Sequence, residues 1–215
     1  MDGILIIRIF ATGKRNWSKN MSLSKDEIIK AEILAQAQKL FQQFGLKKTT
    51  MDEIALACGK AKSTLYHYFN SKEEVFDAVI QMEMINLRQY VKDKVEEHKK
   101  MVDKLQTYIV EFNVEILNRR NLYHIVKQDN MIESIAKKHF FHMLDYEKSY
   151  IVRIMEDGYD SGEYRDFERE DIPWIAELFL AAFYGMVQYS VERDGAFDEE
   201  KLTKAALLFV PKLFS

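Results

Sequence analysis

The feature that most constrains the fold is a series of helix boundaries packed between Gly45 and Ser71. From Lys25 to Phe44 the apolar residues Ile29, Ile33, Ala37, Leu40, Phe41 and Phe44 recur at three- and four-residue steps, the period that lays them along one helical face. Gly45 is expected to stop this helix. Thr50 with Glu53 then makes the capping-box signature of a second helix, carrying Met51, Ile54 and Ala55. That helix must be short, because Cys58-Gly59-Lys60 supplies a break in which glycine takes the left-handed backbone of a tight turn. A third helix runs from Lys62 to Phe69, and Ser71 with Glu74 opens a fourth through Val75, Phe76, Val79 and Ile80. Two short helices across a glycine turn, buttressed by a longer one, form a helix-turn-helix.

The rest of the chain offers little turn material. Two prolines and eight glycines in 215 residues, against abundant Leu, Ile, Ala, Glu, Lys and Gln, leave an all-α fold as the expectation. Beyond Ile80 the helical pattern continues, with breaks near Lys99, Asn121, Asn130, Ser161 to Arg169 and Asp194 to Phe197, or about six helices by period. Residues 1–23 precede the first pattern and read as a leader or flexible arm, in which Lys14, Arg15 and Lys19 would touch phosphate if the arm lies near DNA. The apolar run from Ile4 to Phe10 is too short for a bilayer and is interrupted by Arg8, so no membrane is expected as a partner. The single cysteine, Cys58, cannot form an internal disulfide and suits a reducing cytosol.

Catalysis lacks candidates. No P-loop, GxGxxG, GxSxG or HExxH occurs, and His139 and His142 with Asp145 or Glu147 make only a weak metal pattern. No cofactor, no metal and no enzyme activity are expected. The net charge of −3 means that any affinity for nucleic acid must come from a local patch. The third helix supplies one. Leu65 and Phe69, four apart, face inward and leave Lys62, Ser63, Thr64, Tyr66 and His67 on the outer side and leading end. Lysine neutralises phosphate, hydroxyls donate to phosphate oxygens, and a threonine methyl or histidine ring can meet base edges. No acid occurs between Glu53 and Glu73. Lys72 stands at the start of the fourth helix, where free backbone N–H groups also favour an anion.

The segment ILAQAQKLFQQFGLKKTTMDEIALACGKAKSTLYHYFNSKEEVF, Ile33 to Phe76, resembles the DNA-binding domain of the TetR-type (TetR/AcrR) transcriptional regulators in spacing, glycines and aromatics together. The resemblance implies a DNA-binding domain over residues 24–70 and a helical ligand-binding and dimerisation domain over 71–215. Carried over by position, it puts Thr50 at the cap of the second helix near phosphate. Lys62, Ser63, Thr64 and His67 then probe the groove, Tyr66 and Lys72 hold the backbone, and Tyr68 and Phe69 are structural. Two residues depart from the family pattern. Lys60 stands where Val or Ile is usual and is expected to reach phosphate, and Ala61 replaces a capping Ser, at about 1 kcal/mol.

The larger domain is expected to enclose a small-molecule pocket for which Tyr108, Phe112, Tyr123, Phe141, Tyr146, Phe183 and Met186 are the candidate lining, a set suited to an apolar or flat ligand. Ile172 to Val191 and Leu202 to Phe214 are apolar enough to pair with a second copy, with Ala181, Ala182 and Gly185 permitting close approach. The implied function is that of a cytoplasmic homodimeric repressor, bound to a palindromic double-stranded DNA operator and released by a small molecule. The alternative is a nucleoid-organising protein that shares the N-terminal unit.

Overall fold

The computed structural model describes residues 24–119, 130–164, 167–194 and 199–214; the proposed arm, Tyr123 and the side chain of Phe141 lie outside what is described. The described residues are all-α. In chain order the helices are α1 (Lys25–Lys48), α2 (Met51–Ala57), α3 (Lys62–Tyr68), α4 (Lys72–Glu96), α5 (Met101–Asn118) and α6 (Asn130–Ser161). A 3-10 turn (Arg169–Asp171), α7 (Ile172–Asp194) and α8 (Glu199–Leu213) follow. They fall into two compact units, one of the described residues within Met1–Asn86 and Arg119–His139, the other of those within Leu87–Asn118 and Phe140–Ser215.

In the first unit α1 begins at Ser24, whose hydroxyl accepts the Glu27 N–H (3.2 Å) while the Glu27 carboxylate accepts the Ser24 N–H (2.6 Å). Gly45 takes φ 80 and ψ 161, left of what a residue with a side chain tolerates. It stops the regular helix as expected, and the rest of α1 lies beyond this break. One further turn reaches Lys48, closed by the Thr49 N–H and hydroxyl, which both donate to Gly45 O at 3.2 and 2.8 Å.

The predicted capping box of α2 is present, Thr50 with Glu53. At α4 the box is displaced by one residue. Ser71 Oγ accepts the Glu74 N–H, but the Glu74 carboxylate turns back to the Asn70 N–H (2.7 Å) and side-chain amide (3.0 Å). Ala61 stands at the start of α3 with no side-chain cap, as its identity requires. Ile33, Phe41, Ile54, Leu65, Phe69 and Phe76 are fully buried, and Phe41 meets Phe76 edge to face at 5.3 Å. Truncating one such phenylalanine would cost about 3–5 kcal/mol, so this small core fixes the attitude of α3.

In the second unit each helix buries one stripe: Met101, Leu105, Tyr108, Ile109 and Phe112 on α5, Ile172, Ala176, Phe179 and Phe183 on α7, and Leu202, Ala206 and Val210 on α8. These are the period-3.6 positions. α5 packs along α8 and also meets α7. Gly158 on α6 lets Met101 approach so closely that a Cβ there would stand 2.6 Å from its sulfur and 2.8 Å from its Cβ. Phe214 closes the unit, buried against the rings of Tyr164 (5.5 Å) and Phe167 (6.1 Å).

Candidate nucleic-acid interface

The turn between α2 and α3 is built by Gly59, at φ 62. Its neighbours complete the turn, with the Cys58 N–H donating to Ile54 O and the Lys60 N–H to Ala55 O. Leu65 and Phe69 pin α3 from inside. At about 3.6 residues per turn, Ser63 and His67 then lie opposite them. Both are exposed, Thr64 is half-buried at the edge, and Tyr66 is exposed at 44%. His67 is braced edge to face by Tyr68 at 4.9 Å. The Tyr68 hydroxyl donates to Asp26 Oδ1 at 2.7 Å, the structural role expected of it.

The cations are more committed than the sequence pattern indicates. Lys62 Nζ lies 2.7 Å from Asp52 and 5.9 Å from the centre of the Tyr66 ring. The Asp52 carboxylate raises the Lys62 pKa, by its hydrogen bond first and its charge second, and Asp52 stands just before Glu53, which bounds the acid-free stretch. Lys60 is not free for phosphate; its side chain is largely covered and its Nζ pairs with Glu32 at 2.9 Å. Lys72 Nζ donates to Leu46 O (3.0 Å) and Thr49 O (3.2 Å), so it ties the start of α4 to the end of α1. The Thr50 hydroxyl accepts the Glu53 N–H and donates to the Glu53 carboxylate. The cations that keep an outward position on this face are therefore fewer than the sequence offers, and Asp52 and Glu32 are the residues that the sequence pattern missed.

The candidate effector residues are placed as follows. Tyr108 and Phe112 are buried and stacked at 5.3 Å, and the Tyr108 hydroxyl donates to Glu147 Oε2 at 3.0 Å. Tyr146 is exposed, with the Arg88 guanidinium 4.3 Å from its ring centre. Phe183 is buried beside Phe179 and Met186 is half-buried. His139 does not turn toward Asp145 or Glu147. Its Nε2 meets Asp77 Oδ1 at 2.6 Å, and among the described residues no group of three or more His, Cys, Asp or Glu is placed to hold a metal. No described helix is long and apolar enough to cross a membrane.

One further surface stands out. On α7 the exposed residues Trp174, Leu178, Ala181, Ala182, Gly185 and Tyr189 follow the helical period, and on α8 Leu207, Leu208, Phe209 and Leu213 are more than half exposed. A Cβ on Gly185 would meet nothing within 4 Å.

A helix-turn-helix with a polar, acid-free recognition face, followed by helices that carry an apolar outer stripe, defines a DNA-binding regulator. The model of bacterial regulatory proteins of the tetR family matches residues 33–79. The HTH-type transcriptional regulator YfiR of Bacillus subtilis (strain 168) is 26% identical over 189 residues, 86% of this chain and 88% of that one. The biofilm operon icaADBC negative transcriptional regulator IcaR of Staphylococcus aureus (strain Newman) is 25% identical over 173 residues, 80% of this chain and 91% of its own. The crystal structure of a transcriptional regulator from Cytophaga hutchinsonii ATCC 33406 aligns with TM-score 0.64 at 25% identity, over 84% of this chain and 95% of that one. Residues 33–79 are thus similar to the DNA-binding domain of the tetR family, and over most of its length the chain is similar to HTH-type transcriptional regulators.

Proposed function

We propose that the protein is a cytoplasmic homodimeric repressor whose residues 24–70 bind one half of a palindromic operator and whose residues 71–215 dimerise and bind a small molecule that lowers DNA affinity. The observation that carries the reading is the outer face of α3, where Ser63, Thr64, Tyr66 and His67 present hydroxyls and a ring with no acid among them. The similarity to IcaR, a negative transcriptional regulator, supports repression over activation. One short helix reads few base pairs, so two-fold symmetry is needed to grip both halves of a site. The effector must prefer the conformation whose recognition helices are wrongly spaced, since equal affinity for both states shifts nothing. Helix α4 continues from the DNA-binding residues into the rest of the chain, and is the lever.

The division of labour along α3 is testable by base-substituted duplexes. Tyr66→Phe keeps the ring and removes the phosphate donor, so it should weaken all sequences alike and leave the salt dependence unchanged. Lys72→Met should weaken all sequences and lower the slope of log K against log salt by about one per protomer, provided that Lys72 exchanges its two carbonyls for phosphate on DNA. Thr64→Ala or His67→Ala should change preference at particular positions, by about 1–3 kcal/mol for a good base contact. Circular dichroism must show α3 intact in each variant. Uniform loss from folded Thr64→Ala and His67→Ala would refute the base-reading role.

A further inference from the structure

The second unit buries a carboxylate, Glu147, at 2% exposure. Its Oε2 accepts the Tyr108 hydroxyl at 3.0 Å, and its Oε1 lies 3.3 Å from Arg88 Nε. Two donors are a thin shell for an acid out of water. Burial outweighs both and pushes Glu147 up to about 7, so near neutral pH the charge of Arg88 is only partly compensated.

Arg88 is arranged differently from an arginine spent on structure. It meets Glu147 through Nε alone and at the long end of hydrogen-bond range. Its terminal amines, Nη1 and Nη2, make no hydrogen bond to the described residues. No buried side-chain nitrogen or oxygen among those residues lacks a partner, so these amines are ones that solvent reaches. The Arg88 Cζ lies 4.3 Å from the centre of the Tyr146 ring, a cation–π contact that limits where the guanidinium can go. The result is a planar fork, ordered by a ring on one side and an acid behind it, whose outer donors are open. That geometry matches the two oxygens of an acid group.

We propose that Arg88 is the anion-recognition point for the effector, which is a small organic acid with an apolar or aromatic body: the acid group takes Nη1 and Nη2, and the body lies against the Tyr146 ring. Glu147 is then the resident counter-charge that holds the guanidinium in place before the ligand arrives and competes with it afterwards. The proposal rests on the reading of residues 71–215 as an effector domain, and narrows the apolar or flat ligand expected from the sequence to one that also carries a negative charge.

The test uses two fluorescent probes of similar aromatic body on the full chain: 8-anilinonaphthalene-1-sulfonate, which is anionic, and N-phenyl-1-naphthylamine, which is not. Arg88→Met should bind the anionic probe about tenfold more weakly than wild type, the loss expected for a charge-assisted pair of hydrogen bonds. Glu147→Gln keeps an oxygen for the Tyr108 hydroxyl and removes the competing charge, so it should bind that probe severalfold more tightly. The neutral probe should change little in either variant, and Arg153→Met, which removes an exposed arginine on the same α6 that carries Glu147, should bind both probes like wild type. If Arg88→Met fails to fold, the Glu147→Gln arm decides. Wild-type protein that binds the anionic probe no better than folded Arg88→Met overturns the proposal, as does a parallel loss of both probes, or Glu147→Gln weakening the anionic one. A wild-type protein that binds the anionic probe as expected but shows no sequence preference on DNA would instead sink the regulator reading and leave the anion site standing.

Discussion

Ala182→Glu is expected to convert the protein to a monomer and to abolish operator binding in the same step. Ala182 sits in the exposed stripe of α7 between Leu178 and Gly185, where small residues admit a partner helix closely. A two-fold interface repeats every substitution, so each dimer would bury two new carboxylates, one from each copy, with no cation introduced to neutralise them. An uncompensated charge buried at a contact costs about 3–5 kcal/mol, and two are enough to dissociate an interface of ordinary strength. Phe209→Glu on α8, where the wild-type ring is 61% exposed, should act likewise. Neither change touches the core, because Phe179, Phe183, Ala206 and Val210 occupy the opposite, buried faces. Sedimentation velocity at micromolar protein checks this, with circular dichroism to show that both helices persist. A wild-type protein that sediments as a monomer would contradict the dimer outright.

The second large effect concerns pH. Glu147 titrates at about 7 in the folded protein against an ordinary value of 4.5, because burial raises it more than the Tyr108 hydroxyl and the Arg88 charge lower it. The folded state therefore holds a proton that the unfolded chain has already released. Below the ordinary value both states are protonated and no penalty exists. As pH rises toward about 7 the folded acid remains neutral at growing cost, and above that it ionises while buried. Relative to Glu147→Gln, wild-type stability should fall by about 2–3 kcal/mol between about pH 5 and pH 8. Urea unfolding of the two proteins across this range isolates the residue, since other titrations cancel in the difference. Parallel curves would show that Glu147 is ionised at ordinary pH and that Arg88 compensates it fully.

What the sequence made legible is what local chemistry decides. Thr50 and Glu53 cap α2 because they stand three apart, Gly59 turns because it alone lacks a Cβ, and Leu65 and Phe69 face inward because they stand four apart at the helical period. Gly45 was legible as a stop, its backbone being non-helical as its identity suggests, but the further turn beyond it, which buries Leu46, was not.

The pairings were not legible, because they join residues that only packing brings together. Lys60 finds Glu32 on α1 and Lys72 finds the carbonyls of Leu46 and Thr49. A lysine in a sequence carries a charge but no direction. The same holds for Tyr108, whose ring was legible as an apolar wall while its hydroxyl turned out to serve a buried acid on α6. Arg88 and Glu147 stand far apart in sequence, and neither belongs to a motif.

The most direct test of the central claim is selection of the purified protein's binding sites from a random duplex library, followed by footprinting and stoichiometry on the recovered sequence. The account predicts an inverted repeat with two protected half-sites bound by two chains, lost together in the Ala182→Glu variant and shifted in preference by Thr64→Ala. Recovery of unrelated sequences bound with equal affinity, or of a single unrepeated site bound by one chain, would contradict it.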